Sequence, residues 1–240
     1  MAAAEPFSAR LVDARALSPS VRHLVFERTD GAPMRFEPGQ WINLFVSGEG
    51  GELKRSYSIA SPPDGAPRFE LAVTRVLGGP VSEALHALEI GQELRAVGPH
   101  GLFTRAAGDP APALFVGTGT GVAPLRSMIG AALAAGSSTR LSLLLGVRRQ
   151  DEMLYVEELS RWKTVHPSLS VCVTLSRPDA GWSGPTGRVQ AHLARVFAEL
   201  AAPDAHVFIC GLDKMVHDVK ARCRGELGLG RKQVHTEKYD

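Results

Sequence analysis

The chain of 240 residues carries a net charge of +2, with 44% hydrophobic and 22% charged residues. This is globular composition with material for one large or two ordinary domains, which excludes a disordered or fibrous chain; with no basic stripe interleaved with aromatic residues, it excludes a nucleic-acid partner as well. No apolar run approaches the ~20 residues needed to cross a bilayer, and the opening MAAAEPFSAR has no apolar leader core, so a soluble, unexported, cytoplasmic protein without membrane insertion is expected.

From Phe7 to about Phe103 the sequence alternates in short runs broken by Gly and Pro. Val21–Arg28, Gln40–Val46, Arg68–Val76 and Glu93–Val97 read as strands at the spacing of a small antiparallel barrel or sandwich. Phe36-Glu37-Pro38-Gly39-Gln40 turns the chain into the second of them, Pro setting φ and Gly letting the backbone double back. After it comes Arg55-Ser56-Tyr57-Ser58-Ile59-Ala60-Ser61. In a strand Arg55 and Tyr57 point to one side and Ser56 and Ser58 to the other, and a kink or bulge would let three of them meet one ligand. A guanidinium fork suits phosphate, a tyrosine ring can cover an isoalloxazine, and a serine hydroxyl can hydrogen-bond a ring nitrogen, so together they describe a flavin nucleotide. The same residues also read as a plain strand with an exposed arginine, ended by the Ser61-Pro62-Pro63 turn.

One helix interrupts this region, with Pro80 at its first position and Val81, Ala84, Leu85 and Leu88 at helical spacing. Gly78-Gly79-Pro80-Val81-Ser82 is then a glycine-rich entry to a helix N-terminus. Its free N–H groups and the Ser82 hydroxyl suit a phosphate; alternatively it is a glycine turn that simply caps the helix. Gly98-Pro99-His100-Gly101-Leu102-Phe103 reads as a tight turn closing the region. His100 there reads as a solvated loop residue, since no second histidine or carboxylate stands at a metal-ligand or acid–base spacing.

A loop rich in Ala, Gly and Pro over Ala106–Pro112 marks the boundary, dividing the chain into domains 1–108 and 109–240. Beyond it strands alternate with helices. Ala113–Val116, Leu141–Val147, Leu169–Leu175, Val207–Cys210 and a last strand over Lys232–Glu237 predict a parallel α/β sheet with helices on both faces. Leu125, Met128, Ile129, Ala132 and Leu133 mark an amphipathic segment ending near Gly136. The first of these strands runs into Gly117-Thr118-Gly119-Thr120-Gly121-Val122-Ala123-Pro124, and glycines between a strand end and a helix form a nucleotide pyrophosphate site. The spacing departs from G-x-G-x-x-G, and the ribose-binding acid about 20 residues on is missing. In its place Arg148 and Arg149 end the second strand, Ser176 and Arg177 end the third, and Arg188 follows in GPTGRV. Cations there suggest a 2′-phosphate, and they also read as surface arginines at strand ends.

After Cys210 and Gly211, Asp213 can cap a helix on which Met215, Val216, Val219 and Cys223 face inward. Cys172, Cys210 and Cys223 are odd in number and widely spaced. They fit neither a disulfide framework nor a four-cysteine zinc or iron–sulfur site, so no metal is expected and any iron–sulfur partner is another molecule. Cys210 reads by default as a small apolar filler that leaves room for a flat ring nearby. The tail from Val234 to Asp240 is polar enough for solvent.

The order RSYS, GGPVS, GPHGLF, GTGTGVAP, CGLDKM and a terminal EKY resembles the ferredoxin–NADP⁺ reductase superfamily, essentially from Phe36 to the C-terminus. The resemblance implies an N-terminal antiparallel β-barrel with one helix that holds FAD and a C-terminal α/β parallel-sheet domain that holds the nicotinamide nucleotide. It implies that Arg55 and Ser82, with the Gly79 loop, meet the FAD phosphates. Tyr57 would pack on one isoalloxazine face, and Ser58 would hydrogen-bond near flavin N5. Gly119, Thr120 and Gly121 would lie along the NADP pyrophosphate, with Arg148, Ser176, Arg177 and Arg188 toward its 2′-phosphate and Cys210 and Gly211 beside the nicotinamide. Glu237 resembles the family's terminal carboxylate, and Tyr239 the aromatic over the other flavin face, which in the family moves aside before nicotinamide stacks. Asp240 after this tyrosine is a departure that bears on the tightness of that stacking.

The SR…GR arrangement of Ser176, Arg177, Gly187 and Arg188 resembles NADPH-using bacterial members and favours NADPH over NADH. Related NADH-using oxygenase reductases share the SRP start and the E-K-aromatic ending; they often carry a fused 2Fe–2S domain, for which this chain has no cysteines. The expected reaction is hydride transfer from NADPH to flavin N5, followed by single-electron delivery to a separate ferredoxin or flavodoxin. Ser58, Cys210, Glu237 and Tyr239 are the expected catalytic set, in a monomer. Two other readings stay open: an NAD(P)H-dependent reductase serving free flavin or an oxygenase component, and a non-catalytic nucleotide-binding redox sensor.

Overall fold

The computed structural model describes residues 5–48 and 50–239; Asp240 lies outside the described residues. The first half builds β1 (Pro6–Ser18), β2 (Val21–Arg28), β3 (Trp41–Gly48), β4 (Gly51–Ser58), β5 (Arg68–Thr74), α1 (Pro80–Ala87) and β6 (Glu93–His100). The strands form one antiparallel sheet in the order β4-β3-β6-β1-β2-β5. As the chain leaves β4, Ile59 pairs with Leu71 of β5 and draws the two sheet edges together into a barrel. Period-2 alternation sends Leu24, Phe26, Ile42, Leu44, Phe69 and Leu71 into its core, and α1 plugs one end with Val81 and Leu85.

Two parts of this domain depart from expectation. β1 is a long strand that the alternation does not single out, because register shifts between Leu11 and Asp13 and between Ala16 and Ser18 break its period. Gly98, Pro99 and His100 extend β6 rather than forming a tight turn: His100 pairs with Trp41 of β3, and its half-buried ring packs 4.8 Å from the indole instead of standing in solvent.

The second half builds β7 (Ala113–Thr118), α2 (Val122–Ala134), β8 (Leu141–Val147), α3 (Val156–Val165), β9 (Leu169–Leu175), α4 (Val189–Leu200), β10 (His206–Leu212), α5 (Asp213–Gly225) and β11 (Val234–Tyr239). All five strands are parallel, in the order β11-β10-β7-β8-β9. Helices cover both faces, which is why β8 reads as an unbroken apolar run and is buried at every residue. α4 and α5 close one face with Leu193, Val196, Val216, Val219 and Cys223.

The other face carries α2, and here the structure corrects the amphipathic reading. Every residue from Val122 to Leu133 is buried. One side of α2 packs on Phe115, Leu143, Leu145 and Phe208 of the sheet, while Val21, Ala60 and Ala72 of the barrel complete the same core. A helix enclosed on all sides has no face to leave polar.

The end of the chain is also more structured than a solvated tail. Arg231–Gln233 make one turn of 3₁₀ helix, and β11 runs from Val234 rather than Lys232, paired along β10. Asp213 does not cap α5: Leu212 is the capping residue, and the Asp213 carboxylate instead accepts from Lys238 Nζ of β11 at 2.8 Å. Among the described residues, no helix is long and apolar enough to cross a membrane.

Gly39 joins the two halves. Its φ is +102°, and a Cβ there would stand 2.1 Å from the Phe103 carbonyl oxygen and 2.4 Å from Cε of Met128 on α2. Gly39→Ala therefore combines left-handed strain with overpacking and is expected to cost about 3 kcal/mol, read as a lowered urea midpoint; an unchanged midpoint would contradict this packing.

Candidate active site

β7, β8 and β9 proceed in one direction across the sheet, whereas β10 and β11 are laid on the opposite side of β7. The connections diverge there, so a crevice opens at the carboxyl ends of β7 and β10, where such sheets hold ligands. Gly119–Gly121 form a 3₁₀ turn from β7 into α2. A Cβ on Gly121 would lie 2.3 Å from the Cys210 carbonyl oxygen, so only glycine lets the turn approach β10 this closely. Gly119, at φ +53°, faces open space. The Thr118 hydroxyl is buried beside them with no hydrogen-bond partner among the described residues.

β11 brings the tail into this crevice. Its register sets Glu237 beside Cys210 and Tyr239 beside Leu212, and the period of two puts both side chains on one face. They meet the end of β4. The Tyr239 hydroxyl donates to Ser58 Oγ at 2.9 Å, and Ser58 donates to Glu237 Oε2 at 3.3 Å. Tyr239 also lies against the buried Cys210 thiol, with its hydroxyl 3.5 Å from the Thr120 carbonyl oxygen. Ser58, Cys210, Glu237 and Tyr239 thus come together from three strands of two sheets, although 179 residues separate Ser58 from Glu237.

Burial dominates the electrostatics here. It raises the Glu237 carboxyl to about 7, against the opposing hydrogen bond from Ser58. Burial and then the Glu237 charge push the Cys210 thiol well up, and burial followed by the neighbouring thiol does the same to the Tyr239 phenol. Around neutral pH the seam is a thiol, two hydroxyls and one titrating carboxyl.

On the barrel side, β4 pairs with β3 without a register shift from Trp41–Ser58 to Gly48–Gly51. No bulge gathers Arg55, Tyr57 and Ser58 onto one face, contrary to that expectation. Ser56 donates to Asn43 Oδ1 at 2.9 Å, Arg55 is exposed, and Tyr57 is half-buried against the barrel core, its phenol raised to about 12 by burial. In the first turn of α1, Ser82 accepts from the Val76 N–H and donates to the Gly79 carbonyl, both at 3.0 Å, so its hydroxyl shapes the preceding loop. The Glu83 carboxylate accepts from the Gly78 N–H at 3.1 Å.

On the sheet side, Arg177 N–H bonds to the Arg148 carbonyl at 2.8 Å and Gly187 N–H to the Leu175 carbonyl at 2.8 Å, which fixes Arg188 at the entry of α4. Arg148, Ser176, Arg177 and Arg188 are exposed, and the three arginines make no ion pair among the described residues. Arg149 differs, facing Asp179 at 3.2 Å and Asp151 at 3.7 Å. Gly211 sits against Thr118. The sequence reading missed Thr74, whose hydroxyl lies 3.2 Å from that of Thr120 and ties the barrel to the glycine turn. It also passed over Arg126 on α2, whose signal was a lone cation in a largely apolar helix.

An oxidoreductase FAD-binding family model matches residues 8–104, and an oxidoreductase NAD-binding family model matches 115–221. Fold and sequence together define a two-domain flavin- and nicotinamide-nucleotide oxidoreductase. Over the full length of both chains it is 57% identical to ferredoxin–NADP reductase B of Sorangium cellulosum, and it belongs to the ferredoxin–NADP reductase family. The glycine betaine monooxygenase reductase subunit of Pseudomonas aeruginosa is 30% identical over 85% of this chain, which spans 56% of that protein. Among solved structures, a ferredoxin NADP⁺ reductase from Neisseria gonorrhoeae with bound FAD and NADP shares the fold at a TM-score of 0.83 and 20% identity, covering 98% of this chain and 99% of that one.

Raising Glu237 from its ordinary 4.5 to about 7 means that the folded protein holds a proton across this window that the unfolded chain has released. Stability therefore falls as pH rises from 4.5 to about 7. Glu237→Gln cannot ionise, so its stability relative to the parent should climb over the same window in flavin-free protein. Urea midpoints that run parallel across pH would contradict the burial of this carboxyl.

Proposed function

We propose that this chain is an FAD-dependent oxidoreductase that moves electrons between NADPH and a one-electron carrier protein, a ferredoxin or flavodoxin. The observation that carries this reading is the seam of Ser58, Glu237, Tyr239 and Cys210 at the sheet's switch point; the full-length relative named for ferredoxin and NADP supplies donor and acceptor. When bound, FAD supplies chemistry that no side chain has, taking a hydride at N5 and releasing electrons one at a time.

The residues present fit both groups. Exposed Arg55 and the Gly78–Ser82 loop, open around Gly78, take the FAD diphosphate, while Gly79 lets the chain enter α1. Tyr57 would lie along the ring system, Ser58 would hydrogen-bond near N5, and Tyr239 would cover the opposite face. Glu237, titrating near neutral pH, would hold a proton one hydroxyl away from that position, with its Oε2 accepting from Ser58. Cys210, kept as a thiol, is a small neutral wall for the nicotinamide next to Gly211. Gly119, Thr120 and Gly121, with the unpartnered Thr118 hydroxyl, receive the NADP pyrophosphate at the N-terminus of α2. Arg148, Ser176, Arg177 and Arg188 receive the 2′-phosphate, because Arg149 is already committed to Asp151 and Asp179. A cytoplasmic, monomeric protein completes the reading.

Replacing Arg177 and Arg188 together by Ala should lower kcat/KM for NADPH about 10- to 100-fold and spare NADH, since only NADPH carries the charge they meet. Equal losses with both coenzymes would remove the NADPH assignment. Ser58→Ala should retain FAD yet slow its reduction about tenfold or more in stopped flow; an unchanged rate would remove Ser58 from the reacting centre. Cytochrome reduction driven by NADPH should require added ferredoxin, and indifference to ferredoxin would point to a free-flavin or oxygenase reductase.

A further inference from the structure

α2 holds one cation, Arg126, inside a fully enclosed helix whose neighbours are apolar apart from Ser127. Arg126 is 6% exposed, which is tolerable only with every donor well placed. Its Nε and Nη2 form a fork on the Glu158 carboxylate at 2.5 and 2.8 Å, joining α2 to α3. Nη1 crosses to the barrel, donating to the Ala60 carbonyl at 2.7 Å and to Glu70 Oε2 of β5 at 2.5 Å. The guanidinium lies 4.5 Å over the Tyr155 ring, and the Tyr155 hydroxyl is 3.2 Å from Nδ1 of the buried His23 on β2. The next residue repeats the crossing: Ser127 Oγ donates to the Ser61 carbonyl at 2.7 Å.

The two ends of this clamp are the two halves of the reacting site. Ala60 and Ser61 directly continue the strand that ends in Ser58, and Glu70 holds them from the other side, its carbonyl accepting from Ala60 N–H and its N–H donating to Ser61 Oγ. α2 begins where the Gly119–Gly121 turn ends. The guanidinium plane therefore fixes the separation and the angle between flavin strand and nucleotide turn, which a point charge on a flexible stem would not.

We propose that Arg126 is a positioning residue for hydride transfer, holding the exit of β4 and the start of α2 in one register. This rests on the function proposed above. Transfer between stacked rings is steep in distance and angle, so a small slippage between the two elements costs rate before it costs binding.

Arg126→Met, Arg126→Lys and Ser127→Ala test it. In the FAD-loaded enzyme, Arg126→Met should slow flavin reduction by NADPH about 10- to 100-fold, with KM for NADPH within about threefold of the parent. Once its flavin has been reduced with dithionite, the variant should also lose the long-wavelength charge-transfer absorbance that appears on adding NADP⁺. Arg126→Lys should recover part of both, and Ser127→Ala should show the same pattern more weakly and serves if the methionine variant fails to fold. In flavin-free protein, hydrogen exchange should quicken together at residues 59–61 and 119–122. Variants that only unfold more easily, with parental rate and absorbance per bound flavin and unlinked exchange, would overturn the proposal alone. A parent enzyme whose flavin NADPH does not reduce would overturn the function as well.

Discussion

Enclosure of α2 on every side is the constraint on which the rest of the molecule depends. The helix meets the parallel sheet through residues such as Leu125 and Met128 and meets the barrel through Val21, Ala60 and Ala72, in one continuous apolar core. Neither domain can bury its own surface there without the other, so the hydrophobic term that stabilises each also fixes their relation. The parallel sheet opens its crevice only at the carboxyl ends of its strands, and the barrel delivers β4 only at its rim. Packing around α2 brings those two places together.

What results is a polar seam between two apolar bodies. Tyr239 donates to Ser58 and Ser58 donates in turn to Glu237, so burial leaves neither hydroxyl unpaired. The same burial that satisfies the hydroxyls penalises charge, which lifts Glu237 into the neutral range and keeps Cys210 protonated. The outer rim of the nucleotide side is the opposite case. Arg148 and Arg177 follow strand ends and Arg188 precedes α4, all three exposed to solvent. The exposed arginines and the buried seam are thus separated by depth.

Much of this was legible in the sequence where a local pattern matched a local environment. Leu141–Val147 and Leu169–Leu175 are read to the residue, because each is a mostly apolar run bounded by polar ends. Pro80 and the preceding glycines likewise mark α1 correctly. The failures have long-range causes. β1 is obscured by its bulges, and α2 seems amphipathic only if its outer face is assumed to meet water. Asp213 was read as a cap because its partner, Lys238, is far away in the chain. The seam itself has no local signature, since Ser58 and Glu237 meet across the whole fold. Only the order of the motifs pointed to them, and nothing in the order pointed to Glu70, Tyr155 and Glu158 as the surroundings of Arg126.

The central claim is that the end of β4 and the carboxyl edge of the parallel sheet make one reacting site. Anaerobic titration of the FAD-loaded protein with NADPH, followed by visible absorbance, tests it most directly. The account predicts that flavin absorbance bleaches with an endpoint at one NADPH per flavin. Protein that binds NADPH while its flavin stays oxidised, or that takes up no FAD when correctly folded, would contradict it.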